Sequence, residues 1–130
     1  IAEYLDWMVP APAQGAVAVM TREGDEELVA QVSKLQHEET ARCTAIEREL
    51  LNRMEAGCSA PVGAYAWIDD EGLLTLHATA LTLDGSLLYD VELSAPFAES
   101  EGLGIEAADA LLEQGAAEII ENLDKPSGSN

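Results

Sequence analysis

The side chains best suited to covalent chemistry are two thiols, and their settings differ. Cys58 stands in Ala56-Gly57-Cys58-Ser59-Ala60-Pro61. Gly57 tolerates the positive φ found just past a helix end and Pro61 prevents the helix from resuming, so this thiol is expected on an accessible loop. Cys43 recurs with Ile46, Leu50 and Met54 at helical spacing, with Leu51 beside them, and reads as a small core residue. No His is paired with Cys58 in the manner of a catalytic dyad, so an inert loop thiol is the plain reading and a reactive one the sharper alternative. A disulfide is disfavoured because Cys43 lies inside a helix and no secretory signal points to an oxidising compartment.

The other candidate groups carry less. His37, His77, Cys43 and Cys58 lack paired ligand spacing, and His37-Glu38-Glu39-Thr40 lacks the second His of a metalloprotease helix, so no metal site is expected. His37 is placed at the start of a helix and His77 on a strand face. Glu47-Arg48 reads as a solvated ion pair. Gln14-Gly15 has neither the glycine run nor the Lys of a phosphate loop.

The elements that must position these residues follow from periodicity. Residues 1–13, with Val9-Pro10-Ala11-Pro12, form a connecting segment, since each Pro pushes its predecessor toward extended backbone. Gly15 to Thr21 is short and apolar and predicts a buried strand, followed by helical spacing of Leu28, Val29, Val32 and Leu35. A second helix is expected from Glu38 to about Glu55, stopping at Gly57. Alternation then predicts strands at Pro61–Ile68, Leu73–Leu83 and Leu87–Leu93. Asp84-Gly85 suggests a tight primed hairpin, and the phase change at Leu81 and Leu83 suggests a bulge near Ala80. Leu103 to Leu123 reads as one long helix, and 126–130 as a disordered tail.

The fold class expected is therefore α+β: a three-stranded antiparallel sheet with helices on one face, preceded by a strand-helix segment. The domain plan is 1–13 connector, 14–36 strand-helix segment, 37–125 main domain and 126–130 tail. At 130 residues one core is expected. The chain opens on Ile with no charged segment before an apolar run, so no signal peptide is read and a piece of a longer protein is expected. Acidic residues number 25 against 6 basic, a net charge of −19. That surface repels nucleic acid and anionic membranes, and no apolar stretch is long enough to span a bilayer.

Val9-Pro10-Ala11-Pro12-Ala13-Gln14-Gly15-Ala16-Val17 resembles the Pro-Ala-Pro-Gly-Gln-Gly-Ala signature of hydroxymethylbilane synthases (porphobilinogen deaminases). In order, His37-Glu38-Glu39-Thr40, Glu47-Arg48 and Glu55-Ala56-Gly57-Cys58-Ser59-Ala60-Pro61-Val62-Gly63 are similar to that family too, the last to its Glu-Gly-Gly-Cys, Pro-Ile-Gly cofactor-attachment loop. Asp84-Gly85 and Gln114-Gly115-Ala116 fall where the family has a hairpin turn and a Gly-Ala in its last helix. Three positions depart: Ala13 stands for a usual Gly, Ala56 for the first Gly of the pair, and Met20 for an acidic residue.

The resemblance implies the C-terminal portion of a three-domain transferase that joins four porphobilinogen units into hydroxymethylbilane in tetrapyrrole, and so haem, biosynthesis. It implies that Cys58 carries a covalent dipyrromethane cofactor, with Gly57 shaping the loop; Gln14 either reaches toward the active site or serves as a hydrogen bonder in a hinge region. Catalytic residues are expected upstream and none in this stretch, so the stretch alone should be inactive. Residues 14–36 are expected to return to the first domain. The whole enzyme is expected to be a cytoplasmic monomer acting on porphobilinogen and the growing polypyrrole, with no nucleic-acid or membrane partner. A small acidic α+β interaction module with an inert Cys58 is the alternative.

Overall fold

A computed structural model describes residues 2–3, 5, 7–55 and 60–123. Alternation of apolar residues sets its sheet. Strands β1 (Val62–Ile68), β2 (Leu73–Leu81) and β3 (Leu88–Pro96) form an antiparallel meander in that order. Leu74, Leu76, Ala78 and Ala80 of β2 are fully buried on one face, and register places Leu76 between Ala66 of β1 and Leu93 of β3. Because period-2 side chains share a face, His77 falls on the opposite one. There its Nε2 lies 2.6 Å from Asp90 Oδ2, and Tyr65 stacks on Trp67 at 5.6 Å.

Two helices cover the apolar face, giving the two-layer α+β arrangement expected from the sequence. Helix α2 (Glu38–Arg53) buries Ile46 and Leu50, and α3 (Leu103–Gln114) buries Leu103, Ala107, Ala108 and Leu111. His37 caps α2: its Nδ1 accepts the Thr40 N–H at 3.3 Å. Burying a Leu or Ile side chain fully contributes about 1.5–3 kcal/mol. Ile46, Leu50, Leu74, Leu76 and Leu111 are the largest apolar side chains so buried, and they hold the layers together. Where α2 and α3 cross, Gly104 is obligatory, since a Cβ there would run into the Ile46 carbonyl oxygen and come within 3.0 Å of the Leu50 nitrogen.

Several local expectations are corrected. Gly15–Thr21 is not a strand, and Val17 and Met20 are each 93% exposed. A strand needs a neighbour for its N–H and C=O groups, and among the described residues none pairs with this segment. Helix α1 (Glu26–Val32) does follow, capped by Asp25 Oδ1 accepting the Leu28 N–H, but it has no buried residue, and Leu35 ends a single 3₁₀ turn beyond it.

The pairing of β2 runs without interruption from Leu73 to Leu81, so no bulge exists near Ala80. Leu81 simply lies on the outer face and Leu83 beyond the strand. The Asp84-Gly85 hairpin is wider than expected: Thr82 N–H donates to Leu87 O, leaving residues 83–86 as the loop, and within the pair only Gly85 has positive φ. A type I′ turn needs positive φ at both central residues and a type II′ turn at the first, and Asp84 does not have it.

Strand β3 continues to Pro96, past the expected Leu93. The long last helix is broken: α3 stops at Gln114, Gly115 adopts φ +117, and α4 (Ala116–Leu123) starts afresh. Helix α2 ends at Arg53, with Glu55 in the left-handed region at φ 52. The expected stop at Gly57, and Cys58 itself, lie outside the described residues.

Candidate functional site

Helix α2 organises the polar chemistry of the chain. Its inward stripe carries Cys43, Glu47, Leu50 and Met54, so one carboxylate sits among apolar neighbours at 5% exposure. Glu47 is no solvated partner of Arg48: Arg48 lies on the exposed side of the helix, while Glu47 points to the edge of β1. Its Oε1 accepts the Ala66 N–H at 2.7 Å and its Oε2 the Ala13 N–H at 2.6 Å. Burial pushes the Glu47 pKa up, and these two backbone bonds pull it partly back. Glu47 falls at the helical phase of the apolar stripe, one turn from both Cys43 and Leu50, although the stripe read from apolar residues alone leaves it out. That spacing is the signal by which sequence reasoning could have found it.

The connector lies against the sheet here. Pro10 O accepts the Ala64 N–H at 2.9 Å, and a Cβ on Gly63 would stand 2.8 Å from the Val9 carbonyl oxygen. Ala13 has φ 59, the left-handed conformation in which the resembling family's Gly would be unstrained. Gln14 folds back on its own turn, its Oε1 accepting the Ala11 N–H at 3.3 Å. Connector, α2 and β1 together enclose a cleft of about 340 Å³ lined by Gln14, His37, Thr40, Cys43, Glu47 and Trp67 among others.

Cys43 opens on this cleft but is not poised to react. Burial first, then the carboxylates of Glu47 and Glu39, push its thiol pKa up from 9.0, so it stays protonated. Of the three residues singled out from the sequence, only Gln14 is described; the loop bearing Gly57 and Cys58 is bracketed by the exposed Glu55 and the half-buried Ala60. No cluster of three or more His, Cys, Asp or Glu able to hold a metal occurs among the described residues. No helix among them is long and apolar enough to cross a membrane.

Cations are dispersed. Arg53 pairs with Asp109 at 2.8 Å, Arg42 lies 5.6 Å over the Phe97 ring, and Arg48 borders a wide groove facing α1. Nothing among these could grip a polyanion, since recognition of several carboxylates needs converging guanidinium or ammonium groups.

Residues 40–113 match the family model described as "Porphobilinogen deaminase, C-terminal domain". The porphobilinogen deaminase of Corynebacterium diphtheriae is 46% identical over 112 residues, which is 86% of this chain and 38% of that protein. Those of Staphylococcus carnosus and Geobacillus kaustophilus are 40% and 41% identical, each over 98% of this chain and 41% of their own length. The chain spans about two fifths of the curated relatives it matches.

Proposed function

We propose, from the premise that this chain belongs to the porphobilinogen deaminase family and carries its C-terminal domain, that it is the cofactor-bearing portion of a hydroxymethylbilane synthase. In the full-length enzyme, a transferase, four porphobilinogen molecules are joined into hydroxymethylbilane. The supporting observation is the agreement of fold and family match over one stretch: residues 40–113 cover nearly all of α2, the meander and nearly all of α3, with the Cys58 loop between α2 and β1 in the sequence.

Cys58 is the anchor of the dipyrromethane. Its sulfur would hold the group as a thioether to a pyrrole methylene, the amine having left as ammonia with the thiol proton, and so bound the group would supply the primer for chain extension. The thiol and its Gly57 neighbour suit that role, and Cys43, held protonated inside the cleft, does not compete. The residues present fit the anchoring half of the task and not the gripping half. Acetate and propionate groups require converging cations, and the six Lys and Arg here are outnumbered by 25 acidic residues. The catalytic and carboxylate-binding residues are therefore supplied upstream, and the finished enzyme works as a cytoplasmic monomer. Gln14 and residues 14–36 approach the first domain: Val17, Val19 and Met20 offer it an apolar surface that nothing among the described residues covers.

Intact-mass measurement on the full-length protein tests this. A pyrrolic mass increment on Cys58, reactive with Ehrlich's reagent and abolished by Cys58→Ser, is the expected result; an unmodified thiol in a full-length, active enzyme overturns it.

A further inference from the structure

The Ala13 and Ala66 N–H groups reach the two oxygens of one carboxylate, at 2.6 and 2.7 Å. Two donors cannot bond each other, so beyond the direct Ala64 N–H to Pro10 O bond, Ala13 and Ala66 are joined through a group that accepts on both sides. Ionised Glu is such a group. Gln is not, because its NH₂ would face one of the two N–H groups.

The surroundings make this contact decisive. Strand β1 is an edge strand whose outward N–H groups need partners, and Pro10 O takes that of Ala64 while Glu47 takes that of Ala66. Connector and carboxylate together thus stand in for a fourth strand. On the connector side, the bond holds Ala13, an Ala kept at a φ that costs it energy, immediately before Gln14.

We propose that Glu47 is a positioning residue: the fastener that fixes the line along which the chain leaves the sheet-and-helix unit at Ala13–Gln14. In the longer protein this line sets how residues 14–36 depart from the domain bearing Cys58, and only that consequence rests on the family reading.

Residue-resolved amide exchange on the 130-residue chain tests the fastener. In Glu47→Gln at least one of the Ala13 and Ala66 amides exchanges faster by about tenfold or more, as loss of a hydrogen bond to a charged group implies. In Glu47→Ala both do. The amides of Leu76 and Ala78 in β2 keep their rates in each variant. Wild-type protection of Ala13 and Ala66 in the variants, or acceleration no greater than at Leu76 and Ala78, overturns the proposal. Should Glu47→Ala fail to fold, Glu47→Gln, of matching volume, decides by the same criterion. The functional reading is checked separately by the Cys58 adduct in full-length protein: its absence alongside accelerated Ala13 exchange sinks that reading and leaves the fastener standing.

Discussion

At the scale of single residues, Glu47 shows how a buried carboxylate trades solvation for geometry. Its folded pKa lies above 4.5 because burial outweighs the two N–H bonds it accepts. Above pH 4.5 the unfolded chain has released this proton while the folded chain still holds it. The group's contribution to stability is therefore complete below 4.5 and fades as pH climbs through the raised value. Chemical denaturation of wild type and Glu47→Gln across that window should show wild-type stability falling relative to the variant; parallel curves would contradict the assignment. Asp84 has the opposite sign. The hydroxyls of Thr82 and Ser86 hold its pKa down to about 2, so what it adds to the hairpin is present above 3.8 and lost as pH falls through about 2. The flanking Gly57 and Pro61 indicate only that Cys58 is an accessible loop thiol, and its anchoring role rests on the family resemblance; Glu47, by contrast, does not form the solvated pair that its sequence neighbour Arg48 suggests. Helical phase, not adjacency, decides which way a side chain points.

At the scale of elements, what depended on local pattern was legible. Helix α2, the two hairpins and the inward set Leu74, Leu76, Ala78 and Ala80 follow from period 3.6 and period 2. What depended on distant partners was not. An apolar run such as Gly15–Thr21 has strand character without a strand to pair with, and at Gly115, where the helix breaks in a left-handed conformation, the space beside the backbone is taken by Tyr89, remote in sequence. A Cβ on Gly115 would lie 2.8 Å from the Tyr89 hydroxyl, in a backbone conformation L residues rarely adopt. Gly104→Ala and Gly115→Ala should each lower stability by about 1–3 kcal/mol, the first by overpacking against helix backbone and the second by strain at positive φ. Denaturant midpoints measure this, and because Gly72 also has positive φ but open space around it, Gly72→Ala isolates the strain component.

At the scale of the whole molecule, the proposed division of labour, with the primer anchored at Cys58 and the cations that bind what extends it supplied upstream, predicts an inactive 130-residue chain. With a net charge of −19 and its arginines engaged or scattered, it should neither release ammonia from porphobilinogen nor form uroporphyrin when incubated alone. Detection of either product would show that the gripping residues are here after all. The same chain has two sheet edges treated unequally. That of β1 is closed by the connector and Glu47, whereas along β3 the Asp90 carbonyl is taken by Gln114 Nε2 at 3.1 Å. Elsewhere that second edge relies on the charges of Asp90 and Glu92 and on Pro96, which cannot donate. Solubility is thus tied to ionic conditions: salt or acid that silences those carboxylates removes the repulsion between molecules and turns β3 into a template for intermolecular strand pairing.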